Sequence, residues 1–188
     1  MKQRSEFELH KLLHETPRMY WQTEQHPCNY LKGLYDLIQE NLNENMIMVE
    51  IGSYAAVSSH LFAEKVKHIY CVDQWKAYSE VKEQYITEGE RLFNNFLKYY
   101  NNVTKLKMSS VEASKTFENN FLDFVYIDAN HSYESVIEDI NSWIKKIKIN
   151  GIIAGHDYHQ GTVQKAIQDF FKNKPVKTYE DMSWLIHL

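Results

Sequence analysis

Short apolar segments alternate five times with segments of helical periodicity along this chain. The apolar segments are Met46–Ile51, His68–Val72, Val103–Met108, Phe121–Ile127 and Gly151–Ala154. The helical segments between them are Val57–Val66, Glu80–Tyr100, Val111–Phe117 and Tyr133–Ile147. Near-continuous apolar strands are typical of a sheet that is covered on both faces, and parallel neighbours need a crossover long enough to hold a helix. The alternation therefore predicts an α/β fold with a doubly wound, mostly parallel sheet.

The C-terminal part departs from this alternation. A helix over Thr162–Lys172 is followed by two strand-like segments, Val176–Tyr179 and Ser183–Leu188, with only a few residues between them. So short a connection permits only an antiparallel hairpin. With it the sheet has seven strands. A chain of 188 residues suits one domain, and we assign residues 45–188 to it. Residues 1–44 add an N-terminal arm and a helix over Tyr30–Asn43, which we expect to be part of the same domain.

Composition limits the partners that we expect. The formal net charge is -4, which gives no bias towards nucleic acid or an anionic membrane. No apolar stretch reaches the ~18 residues that a membrane span needs, and the charged N-terminus lacks the apolar region of a secretory signal. With only two cysteines, Cys28 and Cys71, we do not expect a disulfide framework. We therefore expect a cytoplasmic protein that binds no nucleic acid and no membrane.

Polar residues follow every strand of the predicted parallel sheet. Because ligands of such sheets bind at the carboxyl ends of the strands, these residues are the candidate site. They are Glu50, Gly52 and Ser53 after the first strand, Asp73 after the second, Ser109 and Ser110 after the third, Asp128 after the fourth, and His156 and Asp157 after the fifth.

The residues around the first two strand ends favour a nucleoside without phosphates. Asp73 follows Glu50 at close to the ~20-residue offset at which an acid binds a ribose diol. A dinucleotide site would need further glycines where Tyr54 and Val57 stand, and Glu50 would repel a pyrophosphate. The pattern therefore favours a positively charged nucleoside.

Two stretches resemble class I S-adenosylmethionine-dependent methyltransferases, in particular the small-molecule and sugar O-methyltransferase group. They are VEIGSYAAVSSHLFAE and FLDFVYIDANHSYESVIEDINSWIKKIKINGIIAGHDY, and the resemblance covers about Met46–Tyr158. It implies a Rossmann-like sheet with the methyl donor at its carboxyl edge. The resemblance places Glu50 and Gly52 at the methionine end of the donor, Asp73 at its ribose and Ser110 near its adenine. Ser53, Tyr54, Gln74, Ser109 and Asp128 complete the expected donor-binding set.

The same resemblance implies the reaction centre. Asp128 and His131 would face it as catalytic residues, with His131 as a candidate base. Relatives often hold a divalent metal there, and the corresponding positions are Asp128, His156 and Asp157. An imidazole in place of an acid disfavours Mg²⁺ and suits Mn²⁺, Fe²⁺ or Zn²⁺. Ala56 stands where the family usually has a second glycine.

Two other functions remain open from the residues alone. One is a metal-dependent hydrolase that uses His131, His156 and Asp157. The other is a nucleoside-binding module that has lost catalysis. For a methyltransferase the acceptor would be a small molecule or a sugar. Aromatic residues of the arm, Tyr20, Trp21 and Tyr30, would cover the acceptor or form a homodimer interface, and we expect Glu138 and Asp139 on a solvated helix face.

Overall fold

The computed structural model describes residues 31–77 and 83–188. Within them helices flank a seven-stranded, mostly parallel sheet, which confirms the predicted Rossmann-like fold. The strands are β1 Ile47–Ile51, β2 His68–Asp73, β3 Val103–Lys107, β4 Leu122–Ile127, β5 Ile147–Gly155, β6 Lys177–Thr178 and β7 Trp184–His187. The helices are α1 Lys32–Asn41, α2 Val57–Ala63, α3 Glu83–Phe96, α4 Ser110–Ser114, α5 Tyr133–Trp143 and α6 Gly161–Phe171, with 3₁₀ turns at Leu97–Tyr99 and Ile144–Lys146.

The order of the strands creates a crevice next to β1. The sheet order is β3-β2-β1-β4-β5-β7-β6, and the predicted C-terminal hairpin is present because β7 runs antiparallel to both β5 and β6. The chain leaves β1 towards β2 on one side, whereas β4 lies on the other side. The Asp128 N–H donates to the Ile51 carbonyl at 2.8 Å and holds the two strand ends together. Ligands of open α/β sheets bind where the order reverses in this way.

Each face of the sheet buries its own apolar layer. Met48 of β1 packs in a layer with Phe62 of α2, and the next residue, Val49, packs on the opposite face with Trp143 of α5 and Ile167 of α6. Neighbouring residues of a strand point to opposite faces, so a continuous apolar strand serves both layers. All five side chains are fully buried. The two layers make the sheet a rigid base for its carboxyl edge.

The beginning of β5 differs from the prediction. The sequence predicted a helix as far as Ile147 and a strand from Gly151, but α5 ends at Trp143 and β5 begins at Ile147. Ile147 pairs with Leu122 of β4, and the register shifts beyond this pair. The helical spacing of Ile147 is therefore overridden by strand pairing, which buries its side chain.

The predictions for the N-terminal arm, including those for Tyr20, Trp21 and Tyr30, concern residues outside the described ranges. Among the helices that the structure does describe, none combines the length and apolar character that crossing a bilayer requires.

Candidate functional site

A cavity of about 1190 Å³ lies along the carboxyl ends of β1 to β5. Every one of these strands contributes to the lining a residue at its carboxyl end or just beyond it: Gly52, Asp73, Ser109, Asp128 and Asp157. The predicted positions at the strand ends therefore come together. The volume is larger than the ~300–1,000 Å³ of a common ligand pocket, so it has room for two small molecules side by side.

The turn after β1 is tightly constrained at Gly52. Its φ is +92°, and a Cβ built there would lie 1.8 Å from the carbonyl oxygen of Asp128. Only glycine tolerates both conditions. Tyr54 and Ala56 also have left-handed backbones, with φ of 38° and 65°. Ala56 thus adopts the conformation for which a second glycine would be suited.

Glu50 does not line the cavity, which differs from the expectation that it contacts the donor. Its carboxylate is fully buried and accepts hydrogen bonds from the hydroxyls of Ser58, at 2.5 Å, and Ser59. Burial raises the pKa of this carboxyl despite these bonds. The acid that ends β1 therefore fixes helix α2 against the strand.

Asp73 faces the cavity with a carboxylate that is held in place by the backbone. Burial raises the pKa of this carboxyl, while backbone N–H groups act in the opposite direction. Oδ2 accepts from the Tyr54 N–H at 3.0 Å and Oδ1 from the Trp75 N–H at 2.7 Å. Each oxygen keeps capacity for a further hydrogen bond, so Asp73 could accept from two donor groups of a ligand in the cavity. Gln74 lies exposed beside it on the rim.

Ser109 and Ser110 lie at the start of α4, and both hydroxyls have internal partners. The Ser109 hydroxyl donates to Glu112 Oε2 at 2.6 Å as part of a capping box. The Ser110 hydroxyl accepts from the Trp143 indole at 2.8 Å and bonds to the Asp139 carboxyl.

Asp139 is buried, not solvated as the sequence suggested. Its exposed fraction is 6%, and burial raises its pKa to about 6. It shares the inner face of α5 with Val136, Ile140 and Trp143. This i, i+3, i+4, i+7 spacing was the sequence signal that could have revealed its burial. Asp139 lines the same cavity as Ser110.

Asp128, His131 and Asp157 form one cluster at the reaction end of the cavity, with ligand atoms within 4.8 Å of one another. His131 Nε2 lies 2.9 Å from Asp157 Oδ2 and 3.6 Å from Asp128 Oδ1. The neighbouring carboxylates of Asp128 and Asp157 raise the pKa of His131 to about 10. The imidazole is therefore cationic at neutral pH in this arrangement, and it would act as the base that the sequence suggested only after losing that proton.

His156 lies behind this cluster, not within it. Its ring is buried between two acids, with Nδ1 3.3 Å from Asp157 Oδ2 and Nε2 3.9 Å from Asp181 Oδ2. Burial lowers the pKa of His156, but the surrounding carboxylates outweigh it and raise the pKa to about 9. The group within the described ranges that could hold a metal thus contains His131 in place of the predicted His156. Two carboxylates and one imidazole fit Mn²⁺, Fe²⁺ or Zn²⁺ better than Mg²⁺.

Comparison with known proteins gives a family match. A family model described as a methyltransferase domain matches residues 49–158, which span β1 to the end of β5 and the cluster. The uncharacterized protein y4gI of Sinorhizobium fredii is 22% identical over 120 residues, which are 58% of this chain and 13% of that protein. The matched region is therefore a small part of that relative's length.

Solved structures share the fold. SMU.1697c of Streptococcus mutans, a candidate methyltransferase in complex with S-adenosylhomocysteine, has a TM-score of 0.61 at 13% identity and covers 84% of this chain and 95% of its own. A candidate caffeoyl-CoA O-methyltransferase of Staphylococcus aureus has a TM-score of 0.62 at 16% identity, covering 96% of this chain and 95% of its own. At such identities the likeness shows the fold alone.

Proposed function

Because the chain belongs to the methyltransferase-domain family, we propose that it is an S-adenosylmethionine-dependent methyltransferase that methylates a hydroxyl group of a small molecule or sugar. The observation that carries this proposal is the arrangement of one cavity, with a carboxylate oriented by the backbone, Asp73, and a separate acid–imidazole cluster beside it.

The donor half of the cavity fits a positively charged nucleoside. Asp73 would accept hydrogen bonds from both ribose hydroxyls, and the Gly52 turn would lie against the methionine portion. Ser53, Tyr54 and Gln74 line the same half. The carboxylates along the lining favour a cation over a phosphate. The donor, when bound, supplies a methyl group that is already activated for displacement.

The acceptor half would be organised by the acid–imidazole cluster. Asp128 is one-third exposed and faces the cavity, so it can accept a hydrogen bond from the acceptor hydroxyl and take its proton as the new carbon–oxygen bond forms. Asp157 and the His131 imidazolium would hold this carboxylate in position. The protein's contribution is therefore alignment and proton removal, since the methyl group needs no further activation.

A divalent metal is a second way to activate the same hydroxyl. Asp128, His131 and Asp157 would hold the ion, with His131 giving up its proton on binding. The metal would supply Lewis acidity that lowers the pKa of the acceptor hydroxyl. The three donor atoms fit this role because they lie within 4.8 Å of one another and leave a side open to the cavity.

Calorimetry and methyl transfer test the proposal together. The protein is titrated with S-adenosylhomocysteine, with and without Mn²⁺ or Zn²⁺, and incubated with methyl-labelled donor and a panel of catechols, other phenols and monosaccharides. We expect Asp128→Asn to lower methyl transfer by about 10²–10⁴-fold with little change in S-adenosylhomocysteine affinity. Asp73→Asn should weaken that affinity about tenfold or more, because a charge-assisted acceptor is lost.

Asp169→Asn is the matched control, since this exposed acid on α6 bonds to Lys165 and Tyr133 away from the cluster. It should leave both readouts unchanged. Methyl transfer that is insensitive to Asp128→Asn would contradict the assigned role. Tight metal binding without donor affinity would instead support the hydrolase alternative, and donor binding with no transfer to any acceptor would support a module without catalysis.

A further inference from the structure

Gln160 stands at the start of a helix, but its side chain does not cap that helix. It is the N-cap residue of α6, a position at which a short polar side chain commonly accepts a hydrogen bond from the first turn, and its side chain forms no such bond. The amide instead lies against the ring of His131, with Nε2 of the glutamine 3.2 Å from Nδ1 of the histidine. The side chain of Gln160 therefore acts outside its own helix.

The turn after β5 brings this amide to His131. The Gln160 N–H donates to the Asp157 carbonyl at 2.9 Å and closes the turn. Asp157 itself has a left-handed backbone with φ of 59°, a conformation that Asp adopts more readily than most residues. Beyond the turn, the Thr162 hydroxyl donates to the His131 carbonyl at 2.7 Å. The segment that carries Asp157 thus holds both the ring and the backbone of His131.

The two nitrogens of the His131 ring have different surroundings. Nδ1 contacts the Gln160 amide, whereas Nε2 is buried and has no aligned hydrogen-bond partner among residues 31–77 and 83–188. Carboxylate oxygens lie close to Nε2, 2.9 Å away on Asp157 and 3.6 Å away on Asp128. A ring that is held through one nitrogen while the other faces carboxylate oxygens has the surroundings of a histidine metal ligand.

An amide can serve Nδ1 whether or not that nitrogen carries a proton. Its oxygen accepts a hydrogen bond and its NH₂ group donates one, and a half-turn about the last side-chain torsion exchanges the two. When Nε2 of His131 binds an ion, the ring proton is on Nδ1, and the Gln160 oxygen can accept it. A partner of this kind fixes the orientation of the ring and raises the basicity of the ligand nitrogen.

Within the metal-assisted form of the proposed function, on which this step rests, we propose that Gln160 is a positioning residue for a divalent metal. It accepts the Nδ1–H of His131 and so presents Nε2 to an ion that the carboxylates of the cluster share. Gln160 does not touch the ion, and its effect is transmitted through the histidine ring.

Calorimetric titration of the chelator-treated protein with Zn²⁺ tests this role. Gln160→Met keeps the length of the side chain but removes its hydrogen bond to the ring, and we expect it to weaken Zn²⁺ binding about 10–100-fold. Gln160→Glu retains an acceptor for Nδ1–H and should bind Zn²⁺ at least as tightly as the wild-type protein. The matched control is Gln168→Met, at an exposed position of the same helix, which should leave the affinity unchanged.

A residue that merely stabilised the loop would give a different result. In that case Gln160→Glu would bind Zn²⁺ as weakly as Gln160→Met, and this outcome overturns the proposal. An unchanged affinity in Gln160→Met also overturns it, and so does a wild-type protein that binds Zn²⁺ no more tightly than His131→Ala does. Failure of the proposed function is distinguishable, because it would appear as a wild-type protein that does not bind S-adenosylhomocysteine.

Discussion

At the scale of single residues, Asp139 links the ionisation of the protein to its stability. Burial raises its pKa from 3.8 to about 6, so the folded state binds a proton more tightly than the unfolded state. The free energy of unfolding therefore falls as pH rises from about 4 to above 6. The Asp139→Asn variant has no ionisable group at this position, so its free energy of unfolding does not show this fall. We expect the ligand-free variant to exceed wild type by up to about 3 kcal/mol at pH 7.5.

Urea unfolding at a series of pH values measures this difference. The advantage of Asp139→Asn should shrink towards pH 5, where the wild-type carboxyl is largely protonated in the folded state. Glu134→Gln, which removes an exposed acid of the same helix, should show no such trend. A constant difference between Asp139→Asn and wild type across the pH range would show that burial does not perturb this carboxyl.

Gly52 and Gly161 make a matched pair for backbone strain. Gly52→Ala would place a methyl group 1.8 Å from the Asp128 carbonyl oxygen at a φ of +92°, whereas Gly161 has no atom within 4 Å of such a group. We expect Gly52→Ala to lower the free energy of unfolding by on the order of 3 kcal/mol, and Gly161→Ala to leave it unchanged or raise it slightly. Chemical denaturation checks both. If the two substitutions changed the free energy of unfolding equally, Gly52 could not lie as close to the Asp128 carbonyl as described.

Sequence position predicted which strand ends carry the site, but not how each side chain is used. Asp73 and Asp128 follow from their places after apolar strands. The sequence could not show that the candidate metal-binding group contains His131 and not His156. That depends on whether the loop after β4 or the loop after β5 turns its histidine ring towards the carboxylate of Asp157. The internal role of Glu50 was missed for a similar reason: its serine partners lie in the first turn of α2, and nothing in the strand pattern reveals that they face back to it.

At the scale of elements, the contact between β1 and α2 depends on a buried charge. Ser59 is fully buried and donates to Glu50 Oε2. Ser59→Ala leaves that carboxylate oxygen without its partner, which costs about 1–3 kcal/mol. We expect a lower urea midpoint with an unchanged slope. A slope that changes as well would indicate that the variant loosens the folded state more widely.

Ser114→Ala is the control for this element. Ser114 is also buried, but its hydroxyl donates to the Val111 carbonyl of its own helix. Its loss removes a local bond between neutral groups and should cost less than Ser59→Ala. Comparable losses would contradict a special role for the buried carboxylate of Glu50.

The sequence predicted which strands are present more accurately than it predicted the residues at which they begin and end. The five parallel strands follow from their apolar runs, and the terminal hairpin from its short connection. The start of β5 did not follow, because Ile147 fits a helical pattern and a strand equally well by sequence alone. Its pairing with Leu122 decides the outcome.

At the scale of the whole molecule, Asp181 joins segments that are far apart in the chain. Its buried carboxylate accepts from the Leu34 N–H of α1 at 2.7 Å and from the Ser183 N–H at 3.0 Å. A Cβ on Gly33 would lie 2.1 Å from the same carboxylate, so α1 docks closely here. Asp181→Ala leaves the Leu34 N–H unpaired. We expect a loss of about 2–3 kcal/mol and faster hydrogen exchange in α1.

Hydrogen exchange followed by mass spectrometry measures the second effect peptide by peptide. Asp36→Ala, which removes an exposed ion pair with Lys32 on the same helix, should change stability little. If α1 exchanges as fast in Asp36→Ala as in Asp181→Ala, the carboxylate of Asp181 is not what holds the helix.

The bond between Leu34 and Asp181 spans 147 positions of the chain. On the ribosome, α1 emerges long before its acceptor is synthesised, so this hydrogen bond must await translation of the hairpin. Leu34 forms part of the cavity wall and also packs in the apolar layer of Met48 and Phe62. A nascent chain interrupted before Asp181 would therefore carry the Gly52 turn and Asp73 but lack the carboxylate that anchors this side of the cleft.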